Sequence, residues 1–212
     1  RRHRRMQGRD RHFARAGGFR LNSLEWRSMN TLRAELTAHP TTPCPSIRQF
    51  VIEVDAARLP AALVIVYRIA GDAAQLRLPS SGFARRADGL WQHSCFEAFL
   101  RAAPGASYHE FNFAPSGDWA AYRFGRPRSE RSTPDMPAPR MERREFPEGY
   151  ELSATLPIAA LPDLAKSREI EAGIAAVIEA EDGTLSYWAL SHAGPKPDFH
   201  DPSSFKLKVS RP

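Results

Sequence analysis

Three neighbouring segments hold the side chains best suited to chemistry. Cys95, Glu97 and Phe99 alternate within SCFEAFLRA (94–102). Tyr108, Glu110 and Asn112 alternate within SYHEFNFAP (107–115), and Trp119, Ala121 and Arg123 within DWAAYRFG (118–125). Carboxylates, an amide, a guanidinium and several rings are what a sugar needs. Its apolar C–H faces stack on aromatic rings, and its hydroxyl pairs meet Glu, Asn and Arg. A plain solvated face would carry more Lys, Glu and Thr and fewer rings. The bland alternative is a structural Glu–Arg pair on a half-buried sheet. The candidate ligand-binding residues are Trp91, Glu97, Tyr108, Glu110, Asn112, Trp119, Arg123, Trp188 and His192.

A second dense patch is YWALSHAGPKPDFHDPSSFKL (187–207). His192 and His200 flank Asp198, which raises metal binding. No H-x-E, HExxH or cysteine partner accompanies them, and no metal site is assigned. The patch is expected to be an ordered loop crossing the mouth of the polar face. Glu97 and Glu110 could form a glycosidase pair. Cys95, two residues from His93, could be a nucleophile. Both carboxylates read better as binding groups, and a strand-interior cysteine is usually packing. No catalytic residue is assigned, and the chain is not expected to be an enzyme.

These residues must be positioned by short strands. Eighteen prolines interrupt any long helical period. Apolar or alternating runs fall at 49–54, 63–70, 75–79, 94–102, 107–115, 118–125, 141–157, 169–181, 184–192 and 204–210. About ten strands separated by turn signals predict an all-β fold: a single β-sandwich, immunoglobulin-like or jelly-roll. One or two short helices are expected, at 158–164 and 29–36. Residues 126–140, with four prolines and four arginines, predict an exposed loop or a rim beside the binding face. Alternation is expected to place Phe96, Ala98, Leu100, Phe111, Phe113, Tyr122 and Phe124 between the sheets. The opposite face would carry Glu97, Glu110, Asn112 and Arg123, framed by Trp119, Tyr108 and Trp91.

Net charge adds little about partners. The chain has 212 residues, a formal charge of +6 and a pI near 9.7. Residues 1–28 contain nine arginines against Asp10 and Glu25, a net of +7, which leaves the rest at −1. No nucleic-acid partner is expected. Residues 1–28 are expected to be sequence upstream of a start at Met29, a basic disordered arm, or a transit peptide. They hold no apolar run long enough for a signal or a membrane span. Residues 29–212 suit one domain. Cys44 and Cys95 are expected to be free thiols, and the protein cytoplasmic.

LWQHSCFEAFL (90–100), YHEFNFAPSGDWAAYRF (108–124) and the Pro-rich ending resemble bacterial DOMON-like domains, in the wider group that includes family 9 carbohydrate-binding modules. The matching positions are Trp91, Cys95, Glu97, Phe99, Tyr108, Glu110, Phe111, Pro115, Gly117 and Trp119. The likeness spans about residues 45–209. It implies a β-sandwich that binds a sugar or haem and performs no chemistry itself. A non-catalytic domain for a carbohydrate or sugar-like metabolite is the first expectation. A protein-interaction module and a haem or redox-cofactor domain are the alternatives. Haem-binding relatives use axial Met and His, whereas Met136 and Met141 lie in or beside the variable loop. No cofactor is assigned.

Overall fold

The computed structural model describes residues 31–79 and 84–210. The basic segment 1–28 lies outside them. The strands are β1 (Thr31–Glu35), β2 (Thr37–Ala38), β3 (Ile47–Asp55), β4 (Leu63–Gly71), β5 (Cys95–Ala102), β6 (Tyr108–Phe113), β7 (Trp119–Phe124), β8 (Arg140–Phe146), β9 (Gly149–Leu156), β10 (Glu169–Glu179), β11 (Leu185–Ala189) and β12 (Leu207–Ser210). A five-stranded sheet runs β1-β3-β4-β9-β8. A seven-stranded sheet runs β2-β11-β10-β5-β6-β7, with β12 also paired to β10. Neighbours in both sheets are antiparallel. This is the all-β sandwich that the spacing of short runs predicts.

The alternation of β4 shows how the sequence builds the core. Leu63, Ile65, Tyr67 and Ile69 are buried, while the residues between them are only partly covered. They meet Phe96, Ala98, Leu100, Phe111 and Phe113 of the other sheet in one apolar cluster. Strand β6 behaves differently, because all six of its residues are buried. The outer face of the seven-stranded sheet is therefore covered as well. Phe99, Tyr108, Ala120, Tyr122, Phe124, Ala175 and Ala189 form a second cluster there, with Leu90, Phe199 and Phe205 packed on it.

Several expectations need correction. Tyr122 and Phe124 do not lie between the sheets, and Trp119 and Arg123 do not share a face with Glu110. The β6–β7 connection 114–118 is five residues long and puts Trp119 opposite Phe113 and Arg123 opposite His109. A change of one residue in such a connection moves every side chain of a strand to the other face. Gly117, at φ 99°, closes this turn. Residues 31–35 are strand rather than helix. A helix of that length is marginal alone, and pairing with β3 satisfies the backbone instead. Segment 75–79 holds only an isolated bridge, Leu76 to Ala180, after a 3₁₀ turn capped by Asp72. The expected helix near 158–164 is a 3₁₀ turn, Ile158–Ala160, followed by α1 (Pro162–Lys166).

The 126–139 stretch is mostly exposed, as its composition predicts. Ser132 bridges Arg123, so the loop covers part of the β7 edge and shields it from pairing with another chain. Among the described residues no helix is long and apolar enough to cross a membrane.

Candidate functional site

The outer face of β5, β6 and β7 is built in cross-strand rows. Glu97 pairs with Asn112, which pairs with Ala120. Phe99 pairs with Glu110, which pairs with Tyr122, and Arg101 lies across from Tyr108 and then Phe124. On the other side of β5, Ala175 of β10 adjoins Glu97 and Gly173 adjoins Phe99. Small residues thus flank the polar pair, and rings border it. A Cβ at Gly173 would sit 3.2 Å from the Ser204 carbonyl, tighter than ordinary van der Waals contact, so glycine suits the close approach here. That close approach lets the segment after β11 lie down on the sheet.

The covering segment is fastened at His200. Its ring lies edge-on to Phe99, Tyr108 and Phe124, at 5.2, 5.9 and 5.3 Å. The Tyr108 hydroxyl accepts from the Arg128 backbone N–H and lies 2.7 Å from His200 Nδ1. With its acceptor side occupied, the hydroxyl donates to Nδ1, so His200 carries its proton on Nε2. Nε2 faces Glu110 Oε2 at 3.7 Å, too far for a hydrogen bond. Burial and the Arg128 charge, against Asp198, push the His200 pKa down to about 4. The ring is neutral near pH 7.

The polar floor beneath is short of donors. Asn112 donates from Nδ2 to Glu110 Oε1 at 2.8 Å. Asn112 Oδ1 and Glu97 Oε1 are buried with no hydrogen-bond partner among the described residues. An unsatisfied buried polar atom costs about 1–3 kcal/mol, and native folds keep few of them. Burial, and secondly the Glu110 charge, raise the Glu97 carboxyl well above the ordinary range. Burial also raises Glu110, against the Asn112 hydrogen bond and the charges of Arg131 and Arg128. Among the described residues neither Glu97 nor Glu110 forms an ion pair with an arginine; the Glu–Arg bridge of this face is Arg101 with Glu171, at its edge. Arg123 is on the inner side, 3.7 Å from Asp163.

The other candidates are dispersed. Trp188 is buried between the sheets, 5.6 Å from the Phe50 ring, and its indole N–H donates to Ser186. Trp119 is in the same core, under the Arg86 guanidinium. His192 donates to the Thr37 carbonyl and meets His39 edge-on. Trp91 is 52% exposed on the Leu90–Gln92 turn, which lies beside β5 and β6. Met136 and Met141 pack in or against the main core. Among the described residues no group of three or more His, Cys, Asp or Glu is placed to hold a metal.

The residues of this face that the candidate set left out are Phe99, Tyr122 and His200. Phe99 has the parity of Glu97 and was legible as a site ring. Tyr122 needed the turn length. His200 needed the tertiary path of the loop. Tyr122 donates to Asp88 at 2.5 Å and carries the Arg131 guanidinium over its ring at 5.1 Å.

A cleft open to solvent lies elsewhere. It is lined by His109, Arg123, Pro134 and Asp163. His109 is buried and donates from Nε2 to the Asp163 carboxylate at 2.9 Å. Burial lowers its pKa more than Asp163 raises it, which leaves a neutral imidazole against an ionised carboxylate. This pair docks α1 against β6. The outer face is the candidate site because two unpartnered acceptors adjoin there, whereas the cleft lining has one among the described residues, His109 Nδ1.

No protein-family model and no curated protein matches the chain. Among solved structures, the fold is similar to that of a protein from Bacteroides uniformis ATCC 8492, provisionally described as carbohydrate-binding. The TM-score is 0.58 and the identity 13%, over 84% of this chain and 86% of that one. At that identity the likeness is one of fold, and function must be argued from the site.

Proposed function

We propose that the protein is a non-catalytic binding domain for a carbohydrate or sugar-like metabolite, held on the outer face of the seven-stranded sheet. The observation that carries this reading is the adjoining pair of unfilled acceptors, Glu97 Oε1 and Asn112 Oδ1. Sugar hydroxyls would supply the missing donors, and Phe99, Tyr108 and Tyr122 offer ring surface around them. Trp91 stands as an accessible platform at the margin. The fold likeness to a protein described as carbohydrate-binding and the resemblance to DOMON-like domains point the same way.

Binding without catalysis fits the placement of the carboxylates. Glu97 and Glu110 are diagonal neighbours on adjacent strands of one face. Glycoside hydrolysis needs an ionised carboxylate beside a protonated one, and burial raises the pKa of both Glu97 and Glu110 while Asn112 holds one Glu110 oxygen. Leu90, Phe199 and Phe205 pack on the ring cluster of this face and the Glu97–Asn112 pair is buried, so a ligand reaches it only as that cover opens.

The test is calorimetric titration of the purified protein with neutral mono- and oligosaccharides. Saturable binding is expected for at least one sugar, weakened at least tenfold in Asn112→Ala. No saturable heat from any sugar at millimolar concentration overturns the reading.

A further inference from the structure

With Glu97 ionised, the free positions on the floor all accept hydrogen bonds. Neither Glu97 oxygen receives a hydrogen bond from a described residue. Asn112 Oδ1 is likewise unfilled, and Glu110 Oε2 has only the His200 N–H at 3.7 Å. The amide that could have donated is already turned toward Glu110. The nearby cations are engaged elsewhere. Arg128 pairs with Asp198 at 2.7 Å, and Arg131 lies over the Tyr122 ring. A neutral hydroxyl would fill one acceptor with its single proton. An ammonium group brings three donors and a charge that opposes the two carboxyls.

We infer that the ligand of this face carries a protonated primary amine, seated between Glu97 and Asn112, and that within the carbohydrate class it is an amino sugar. The inference rests on the proposed function and narrows it. Cys95 on β5, Glu110 on β6 and Tyr122 on β7 are the titratable groups facing Glu97 or its neighbour from the sheet. Tyr67 reaches Glu97 from the opposite sheet, donating to its backbone carbonyl at 2.9 Å. His200, Arg128 and Arg131 face Glu110 from above. Burial first, and the Glu110 charge second, raise the empty-site Glu97 carboxyl well above the ordinary range. An arriving ammonium favours the ionised carboxylate, so whatever proton Glu97 holds in the empty site leaves as the ion pair forms.

The test is calorimetry of the full chain at pH 7 with glucosamine, galactosamine and mannosamine, each beside its N-acetyl and parent sugar. At least one amine form is expected to bind about tenfold tighter than its neutral counterparts. Titrations in buffers of different ionisation enthalpy should show a proton released on binding. Glu97→Gln, nearly isosteric, should remove both the preference and the proton release while retaining weak binding of the neutral sugar. Parent sugars that bind as tightly as the amines overturn the inference and leave the proposed function standing. Absence of binding by every amine and every neutral sugar overturns both.

Discussion

The Tyr108 hydroxyl and His200 Nδ1 are 2.7 Å apart, and this hydrogen bond ties the segment after β11 to the floor of the seven-stranded sheet. The histidine ring sits among Phe99, Tyr108 and Phe124 with no carboxylate of the described residues within hydrogen-bond reach of its nitrogens. Its environment therefore favours the neutral ring.

Protonation of His200 should open this cover. Its folded pKa is lowered to about 4, while the unfolded chain titrates near the ordinary histidine value. Above pH ~6.5 both states are neutral and the full stability is present. As pH falls toward the folded pKa, only the unfolded or opened state takes the proton. Stability is then lost at up to about 1.4 kcal/mol per pH unit. Comparison of urea midpoints for wild type and His200→Gln isolates the term, since the remaining groups are shared. The wild-type advantage should shrink between pH 7.5 and pH 4.5. An advantage independent of pH would contradict this assignment.

Glu97 has the opposite sign. Burial first, and the Glu110 charge second, raise its folded pKa. The stability it contributes is present below the ordinary glutamate pKa and is lost as pH rises toward the raised folded value. Glu97→Gln removes that dependence and gives the Asn112 oxygen a neutral donor. The variant should match wild type near pH 4.5 and exceed it at pH 8 by about 1–3 kcal/mol. Urea unfolding at the two pH values checks this, and a wild type as stable as the variant at pH 8 would refute it. The same variant loses amine selectivity, so stability and binding move in opposite directions, as expected where a buried group is kept for recognition.

Much of this architecture was legible because strand alternation is a local signal. Leu63, Ile65, Tyr67 and Ile69 declare the inner face of β4 without any partner being known. Phe96 and Phe113 are directly opposite each other in the core, as their parities predict. The site was legible only in half. Glu97, Tyr108, Glu110 and Asn112 share a face because they occupy two strands whose parities the sequence relates. Arg123 was misplaced because the turn before it, not its own strand, decides which way it points. His200 stands 92 residues from Tyr108 along the chain, and no local pattern joins them. Ala120 and Ala175 carry no local signal of a site, and only the register sets them beside the polar pair.

The tryptophans separate core from site. Trp188 is 7% exposed and packs on Phe50 between the sheets, whereas Trp91 is 52% exposed beside β5 and β6. Truncating a buried Trp leaves a cavity and costs about 3–5 kcal/mol. Truncating an exposed one away from packing changes stability by about 0.5 kcal/mol or less. Trp188→Ala should therefore lower the urea midpoint sharply. Trp188→Phe, which keeps most of the contact, should refold with unchanged sugar affinity. Trp91→Ala should keep the wild-type midpoint and weaken sugar binding several-fold, if its ring is the platform at the margin of the site. Stability melts and calorimetric titrations on the three variants read both axes. Loss of binding in Trp188→Phe with none in Trp91→Ala would move the site away from the outer face, toward the inter-sheet end where Trp188 meets Phe50.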